Sequence, residues 1–227
     1  FFSGHAMSFL LSWLVLGLIS VASPEEQNWQ DMYYEAIERK FDMLDYAVRG
    51  YWKHYTGRHY GIASMHPDFP YAGRKTKFIF YDLRRRQAER AQPFKTVCEV
   101  GFNAGHSSLL WLETLPDARV VAFDKGEKWT KGGLLFLRTV YARRHRYIRG
   151  LSSNTLPKFI ESNPDFKCDV VFIDGDKREE PRYDDIMNFR KISTLDTVLY
   201  MDEVNTLECV NGTVDRGHDK CKEKQAW

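Results

Sequence analysis

The chain has 227 residues, of which 43% are hydrophobic, 28% charged and 15% aromatic. This length and composition suit one domain with an appendage and a buried core, and they exclude a disordered tail or a fibre. Thirty-three Lys and Arg residues face 31 Asp and Glu residues. The net charge of +2 therefore excludes an overall field that would hold the protein on nucleic acid or on an anionic membrane.

An apolar run lies near the start of the chain. Residues 9–22 carry no charge, and Ser20 and Ala22 provide the small side chains that signal peptidase requires, which predicts a secretory signal. No Lys or Arg precedes the run, and residues 6–23 have nearly the length of a bilayer span, so a retained membrane anchor is the alternative. Acidic residues after the run and the sequon at Asn211 favour translocation. We therefore expect a secreted or membrane-anchored protein of the secretory pathway.

The four cysteines are too few and too scattered for a disulfide scaffold, and none has the spacing of zinc ligands. They are Cys98, Cys168, Cys209 and Cys221. Cys209 and Cys221 would close a short loop if oxidised, and two unpaired thiols are the alternative. The sequence thus predicts a core that is held together by packing alone.

Helical periodicity marks the first part of the body. Five apolar residues recur every three or four positions, which predicts a helix between Trp29 and Gly50. They are Tyr33, Ile37, Phe41, Leu44 and Val48. Residues 51–77 mix glycine, proline and aromatic residues without a sustained period, which predicts a long packed loop. A second helix is predicted from Phe80 to Ala91, before Pro93.

After Pro93, short apolar runs alternate with segments of helix length. The runs cover residues 96–100, 119–123, 168–173 and 197–201, with a weaker one near Tyr147 and Ile148. This alternation predicts an α/β fold with a Rossmann-like, mostly parallel sheet and helices on both faces. The carboxyl ends of parallel strands share one edge, and ligands bind there.

The first two strands end in residues that suit a nucleoside. Gly101 and Gly105 let the backbone approach a ligand closely, and the amides that open the next helix are donors for a polar or anionic group. Asn103 occupies the place of the second glycine of the dinucleotide fingerprint, so that fingerprint is absent. Asp124, at the end of the second strand, can accept hydrogen bonds from both hydroxyls of a ribose. Together these residues indicate a nucleoside without a pyrophosphate.

Polar residues also follow the other three strands. Ser152 follows the third strand, where it either meets an adenine edge or caps a helix. Asp174 follows the fourth strand, and Asp202 and Glu203 follow the fifth. Carboxylates that converge on one edge repel each other unless a cation lies between them, so the pattern suggests Mg²⁺. The alternative is that these residues cap a helix or start a turn.

Over residues 94–202 the chain resembles the class I S-adenosylmethionine-dependent methyltransferases. EVGFNAGHS (residues 99–107) is similar to their glycine-rich motif, and VVAFD (residues 120–124) is similar to their ribose-binding strand. VVFIDGDK (residues 170–177) and LYMDE (residues 199–203) are similar to the fourth and fifth strands. DGDK also resembles an element of metal-dependent catechol-type and caffeoyl-CoA-type O-methyltransferases. The resemblance implies S-adenosylmethionine as cofactor, Mg²⁺ as a second one, and methyl transfer to a hydroxyl of a small molecule.

The resemblance also implies site residues and domain limits. The cofactor-binding candidates are Glu99, Gly101, Asn103, Gly105, Ser107, Asp124, Ser152 and Asp174. The metal-ligand candidates are Asp174, Asp202 and Glu203, and the candidate base is Lys177. Residues 1–23 are then a signal peptide or anchor, residues 24–93 a helical and loop appendage, and residues 94–227 the methyltransferase domain.

Two departures from these relatives leave alternatives open. Glu203 stands where the relatives have Asn. Only 24 residues follow Glu203, so the C-terminal hairpin of the relatives is expected to be missing or remodelled. One alternative is a metal-independent methyltransferase that acts on a macromolecule through the basic residues of segment 143–149. That segment is otherwise the solvated end of a helix. The other alternative is a non-catalytic protein with the same fold.

Overall fold

The computed structural model describes residues 23–53 and 72–202. Within these ranges the chain forms six helices and five strands. They are, in chain order, α1 (Pro24–Tyr51), α2 (Ala72–Glu89), β1 (Thr96–Val100), α3 (His106–Thr114), β2 (Arg119–Asp124), α4 (Thr130–Tyr141), β3 (His145–Arg149), α5 (Ser152–Ser162), β4 (Val170–Ile173), α6 (Glu179–Lys191) and β5 (Val198–Met201).

The five strands form one parallel sheet in the order β3-β2-β1-β4-β5. Successive side chains of a strand point to opposite faces, so each central strand contributes to two cores. Val97 of β1 belongs to the core under α1, α2, α3 and α4, whereas Val100 belongs to the core under α5 and α6. The predicted α/β fold, Rossmann-like with helices on both faces of the sheet, is confirmed, and the described sheet is parallel throughout.

Helix α1 covers the predicted segment and extends it at both ends. Ser23 caps its start by accepting a hydrogen bond from the backbone of Glu26, at 3.2 Å. Four residues of the predicted apolar stripe are buried, but Tyr34 replaces Tyr33 as the first buried position. Tyr33 lies at the edge of the stripe, where its hydroxyl donates to the carbonyl of Glu113 at 2.5 Å.

Helix α2 begins at Ala72, eight residues before the predicted start, so residues 72–77 are helical and the loop prediction is wrong there. Its first turns are polar in sequence, and the described buried residues of the helix are Thr76, Ile79, Phe80 and Leu83. Residues 54–71, the remainder of the predicted loop, lie outside the described residues.

Strand β3 corrects the interpretation of segment 143–149. His145 to Arg149 pair with β2 and are therefore not the end of a helix. His145 is buried, and the Arg144 guanidinium donates to backbone carbonyls at the end of α3 and in the turn after it. Two of the five basic residues are thus used inside the fold rather than on a contact surface.

A disulfide joins Cys98 of β1 to Cys168, two residues before β4. The prediction of a core without cross-links is therefore wrong. The two cysteines are separated by 70 residues in sequence, and only the pairing of β1 with β4 brings them together. Cys209 and Cys221 lie outside the described residues.

Helices α1 and α2 contribute side chains to the same core as the sheet. None of the helices within residues 23–53 and 72–202 combines the length and apolarity that a bilayer span requires. The apolar run at residues 9–22, the sequon at Asn211 and the segment after Asp202, with its expected lack of a hairpin, lie outside the described ranges. The domain limits at residues 23 and 93 stay predictions.

Candidate active site

The five strand ends meet along one edge of the sheet, which we call the carboxyl edge. The residue directly after each of four strands, β1, β3, β4 and β5, is tied to the neighbouring strand by a backbone hydrogen bond. These bonds run from Gly150 N to Asp124 O, from Gly101 N to Phe123 O, from Asp174 N to Val100 O and from Asp202 N to Ile173 O, at 2.9 to 3.0 Å. The fold therefore brings the predicted site residues 101, 124, 174 and 202 into one row.

The glycine turn after β1 depends on its first glycine. Gly101 has φ +101°, and a Cβ atom built there would lie 2.2 Å from the carbonyl oxygen of Asp174. The turn is then fixed at Asn103, which has φ 53°. Its side-chain oxygen accepts a hydrogen bond from the Trp129 indole, and its carbonyl accepts one from Thr130 at 2.8 Å. Asn103 thus holds the turn against the start of α4.

Asp124 lies beside this turn at the end of β2. Its carboxylate accepts hydrogen bonds from the backbone N–H of Asn103, at 3.0 Å, and of Gly126, at 2.6 Å. Burial raises the pKa of Asp124 above its ordinary value, although these backbone donors lower it. A carboxylate has about four lone-pair sites, so capacity for two hydroxyl donors remains. The backbone at Gly101 and the carboxylate of Asp124 together fit the nucleoside of S-adenosylmethionine.

Glu99 lies behind the turn and has no solvent exposure. Its carboxylate accepts hydrogen bonds from the Ser108 hydroxyl and, at 2.9 Å, from the Trp111 indole. Ser108 also lies 3.2 Å from Nε2 of the buried His145. Ser107 is buried and interacts with the same carboxylate. Glu99 and Ser107 thus support α3 and the turn from the interior, and their role as cofactor-binding residues stays a prediction.

Burial raises the pKa of Glu99 to about 7, against the hydrogen bonds from Ser108 and Trp111. Glu99 therefore binds a proton more tightly in the folded chain than in the unfolded one. The raised pKa contributes up to about 3 kcal/mol to the free energy of unfolding below pH 4.5, and this contribution is lost as the pH rises to about 7. The side chain of Glu99→Gln does not titrate. The unfolding free energy of wild type minus that of the variant should therefore be larger at pH 5 than at pH 8.

Urea unfolding at the two pH values measures this difference. The neutral Gln side chain disturbs the indole contact equally at both pH values, so that cost cancels in the comparison. An unfolding free-energy gap that stays constant between pH 5 and pH 8 would contradict a protonated Glu99 in the core.

Ser152 is the first residue of α5, directly after the turn at Gly150, which has φ +143°. Its side chain lies next to Asp185 of α6. Asp185 is fully buried, and burial raises its pKa to about 6. A Cβ atom built on Gly175 would lie 3.5 Å from the Asp185 carboxylate. The sequence pattern gave no role to Asp185, although the fold places it directly beneath the carboxyl edge.

Asp174 and Asp202 meet at the ends of β4 and β5, with a lysine at each carboxylate. Lys177 forms an ion pair with Oδ1 of Asp174 and lies 3.6 Å from Oδ2 of Asp202. Lys75 of α2 forms an ion pair with Oδ1 of Asp202. Lys75 is separated from Asp202 by 127 residues, and no sequence pattern connects the two. We call these four side chains the charge cluster.

The two carboxyls of the charge cluster have opposite pKa shifts. Burial, together with the negative charge of Asp202, raises the pKa of Asp174 to about 7. Burial acts in the same direction on Asp202, but the hydrogen bond and charge of Lys75 outweigh it and lower the pKa of Asp202 below its ordinary value. Asp202 therefore stays ionised to a lower pH than Asp174 does.

These residues do not fit the predicted magnesium site. Each carboxylate already forms an ion pair with an ammonium group, and Mg²⁺, which binds through one or two carboxylates and water, could reach these oxygens only by displacing a lysine. Within residues 23–53 and 72–202 there is no group of three or more His, Cys, Asp or Glu side chains arranged for a metal ion. Glu203, the third predicted ligand, lies outside the described residues. The described residues thus give the Mg²⁺ prediction no support.

A surface cleft of about 590 Å³ lies elsewhere, at the amino end of β5. It is lined by Arg86 and Glu89 at the end of α2, by Arg90 and Phe94 after that helix, and by residues 195–199. It contains none of the residues of the carboxyl edge. The polar groups that suit a nucleoside are therefore at the opposite end of the sheet from this cleft.

A parallel sheet in this strand order, a glycine turn after β1 and an acidic residue after β2 are all features of a class I methyltransferase domain. Residues 98–204 match the family described as a methyltransferase domain. The chain therefore contains a methyltransferase domain, and its resemblance to the class I S-adenosylmethionine-dependent enzymes is confirmed.

Two solved structures share this fold. An O-methyltransferase from Bacillus cereus, in complex with S-adenosylhomocysteine, is 20% identical with a TM-score of 0.55, over 80% of this chain and 75% of its own. The O-methyltransferase TomG from Streptomyces achromogenes, involved in tomaymycin synthesis and in complex with S-adenosylmethionine, is 19% identical with a TM-score of 0.57, over 81% of this chain and 74% of its own. No curated protein matches the chain.

Proposed function

We propose that this methyltransferase acts on a hydroxyl group of a small molecule. The observation that carries this proposal is the contact between Lys177 and Asp174 on the same edge as the glycine turn and Asp124. The candidate base thus follows β4, the strand next to the one that carries the glycine turn. The likeness to two O-methyltransferases adds support, since one of them acts in the synthesis of a small molecule.

The cofactor supplies a methyl group on a positively charged sulfur, which is already activated for transfer. The protein therefore has to align the acceptor and remove its proton. The backbone of the turn at Gly101 and the carboxylate of Asp124 would hold the nucleoside, with Asp124 accepting hydrogen bonds from the ribose hydroxyls. Ser152 would contact the adenine edge at the start of α5.

Lys177 would take the proton of the acceptor hydroxyl. Its side chain is 41% exposed, so it reaches the open side of the carboxyl edge, where an acceptor can enter. In that step the O–H bond would break and its proton would pass to Nζ, while the oxygen would bond to the methyl carbon as the bond from that carbon to sulfur breaks and its electron pair stays on the sulfur. Lys177 must first release a proton of its own, and the Asp174 carboxylate is in direct contact to receive it.

Lys177→Met should reduce turnover about 10²- to 10⁴-fold, because general-base catalysis contributes factors of that size. Affinity for S-adenosylhomocysteine should stay within about threefold of wild type. Met keeps the aliphatic stem of Lys177, and Lys177 is not among the residues proposed to hold the nucleoside. Turnover with a panel of small phenols and catechols and calorimetry with S-adenosylhomocysteine measure the two effects.

Lys95→Met is the matched control. Lys95 is exposed and lies at the amino end of β1, 3.7 Å from Asp117 and at the opposite end of the sheet. Equal turnover of wild type and Lys177→Met would reject Lys177 as the general base. A wild-type chain that binds neither S-adenosylmethionine nor S-adenosylhomocysteine would reject the whole proposal.

We also propose that the domain works in an oxidising compartment, in line with the secretory signal or anchor expected at residues 1–23. The buried disulfide between Cys98 and Cys168 supports this location, because disulfides persist in secreted and lumenal proteins and are rare in the cytosol.

A further inference from the structure

Lys75 reaches the carboxyl edge from α2, a helix outside the alternating strands and helices of the sheet. Its ammonium group pairs with Oδ1 of Asp202, while Lys177 approaches Oδ2 of the same carboxylate at 3.6 Å. Lys177 also pairs with Asp174. Positive and negative groups therefore alternate through the charge cluster, from Lys75 to Asp202, Lys177 and Asp174.

We propose that Lys75 is a positioning residue that occupies the place of a divalent cation, so that methyl transfer at this edge proceeds without a metal. The proposal rests on the proposed function and specifies how its charge cluster works. Two ammonium groups balance two carboxylates, so a divalent cation could bind there only by displacing a lysine.

The backbone of Asp202 is held on two sides. Its N–H donates to the carbonyl of Ile173 at 3.0 Å, and its carbonyl accepts a hydrogen bond from the Arg182 guanidinium at 3.1 Å. Arg182 is buried, and Asp185 of the same helix lies near enough to offset its charge. The Asp202 carboxylate is therefore fixed at the edge, and its charge has to be neutralised where it stands.

Lys75 also determines which carboxylate holds Lys177. With Lys75 in place, Asp202 has its own ammonium partner, and Lys177 stays in direct contact with Asp174. Without Lys75, the nearly buried Asp202 would attract Lys177, which lies only 3.6 Å from it. Lys177 would then move from the position that faces the acceptor. Lys75 thus affects turnover through Lys177 and does not itself contact the reacting atoms.

Titration of the full chain with Mn²⁺, followed by electron paramagnetic resonance, tests this inference. Wild type should bind no Mn²⁺ at roughly millimolar concentration, and a chelator should leave its turnover unchanged. Lys75→Met, which keeps the aliphatic stem, should bind one equivalent of Mn²⁺ and lose about tenfold or more of its turnover. Lys75→Arg should behave as wild type in the Mn²⁺ titration because it keeps a cation at Asp202.

Lys77→Met is the matched control on the same helix. Lys77 is exposed and pairs with Asp31 of α1 at 3.1 Å, so its loss removes one charge from α2 but none from the charge cluster. It should bind no Mn²⁺ and keep wild-type turnover. Thermal melting of each variant establishes that it is folded.

Stoichiometric Mn²⁺ binding by wild type would overturn the inference, and so would a Lys75→Met variant with the Mn²⁺ affinity and turnover of wild type. If Lys75→Met does not fold, the wild-type titration and Lys75→Arg decide the question. Failure of wild type to bind S-adenosylhomocysteine would instead reject the proposed function, and the Mn²⁺ titration would still report on Lys75.

Discussion

Reduction of the disulfide between Cys98 and Cys168 should lower the free energy of unfolding by about 4 kcal/mol in the loop-entropy model. The cross-link spans a sequence separation of 70 residues, so breaking it releases a long loop in the unfolded chain. It also joins the two central strands whose ends hold Gly101 and Asp174. The affinity for S-adenosylhomocysteine should therefore fall together with stability.

Urea unfolding with and without reductant measures this effect, and peptide mapping under non-reducing conditions verifies the cross-link. The double variant Cys98→Ala/Cys168→Ala is the control, since reductant should leave its unfolding free energy unchanged. A wild-type protein whose urea midpoint is the same in both conditions would contradict a stabilising disulfide. Recovery of two unlinked peptides would contradict the disulfide itself.

Gly101→Ala should abolish detectable binding of S-adenosylhomocysteine. A Cβ atom there would lie 2.2 Å from the Asp174 carbonyl oxygen, and φ +101° is a conformation that L side chains rarely adopt. The turn, the end of β4 or both must move. A loss of roughly 3 kcal/mol in cofactor binding corresponds to more than about a 100-fold fall in affinity.

Calorimetry with S-adenosylhomocysteine, together with thermal melting, measures the effect of this change. Gly50→Ala is the matched control, because a Cβ atom at Gly50 in the last turn of α1 meets nothing within 4 Å. That variant should keep wild-type affinity and stability. Wild-type affinity in Gly101→Ala would show that the turn does not approach the cofactor closely.

The strands were predictable because burial on both faces makes each one a short, continuous apolar run. β1 has the predicted limits, Thr96 to Val100, and β4 differs by two residues at its start, where Cys168 and Asp169 precede it. β3 was weakly marked because Arg146 and Arg149 interrupt the apolar pattern of this outer strand. The start of α2 was not predicted because polar residues in its first turns likewise interrupt the apolar pattern.

The candidate site was predictable where local order alone places a residue at a strand end. Asp124, Asp174 and Asp202 each lie at or directly after a strand, so a parallel sheet had to bring them to one edge. Glu99 was different, because its sequence position beside the glycine turn does not show that it points into the core. Its pairing with Ser108 and Trp111 depends on how α3 packs against β1.

The alternating architecture, the carboxyl edge and the residues at its strand ends could thus be predicted from the chain alone, because they follow from spacing along it. The partners that come from distant segments become evident only in the folded molecule. Cys168 meets Cys98 because β4 lies beside β1, and Lys75 meets Asp202 because α2 runs alongside β5. Such contacts depend on which elements become neighbours, and a periodic pattern within one element does not contain that information.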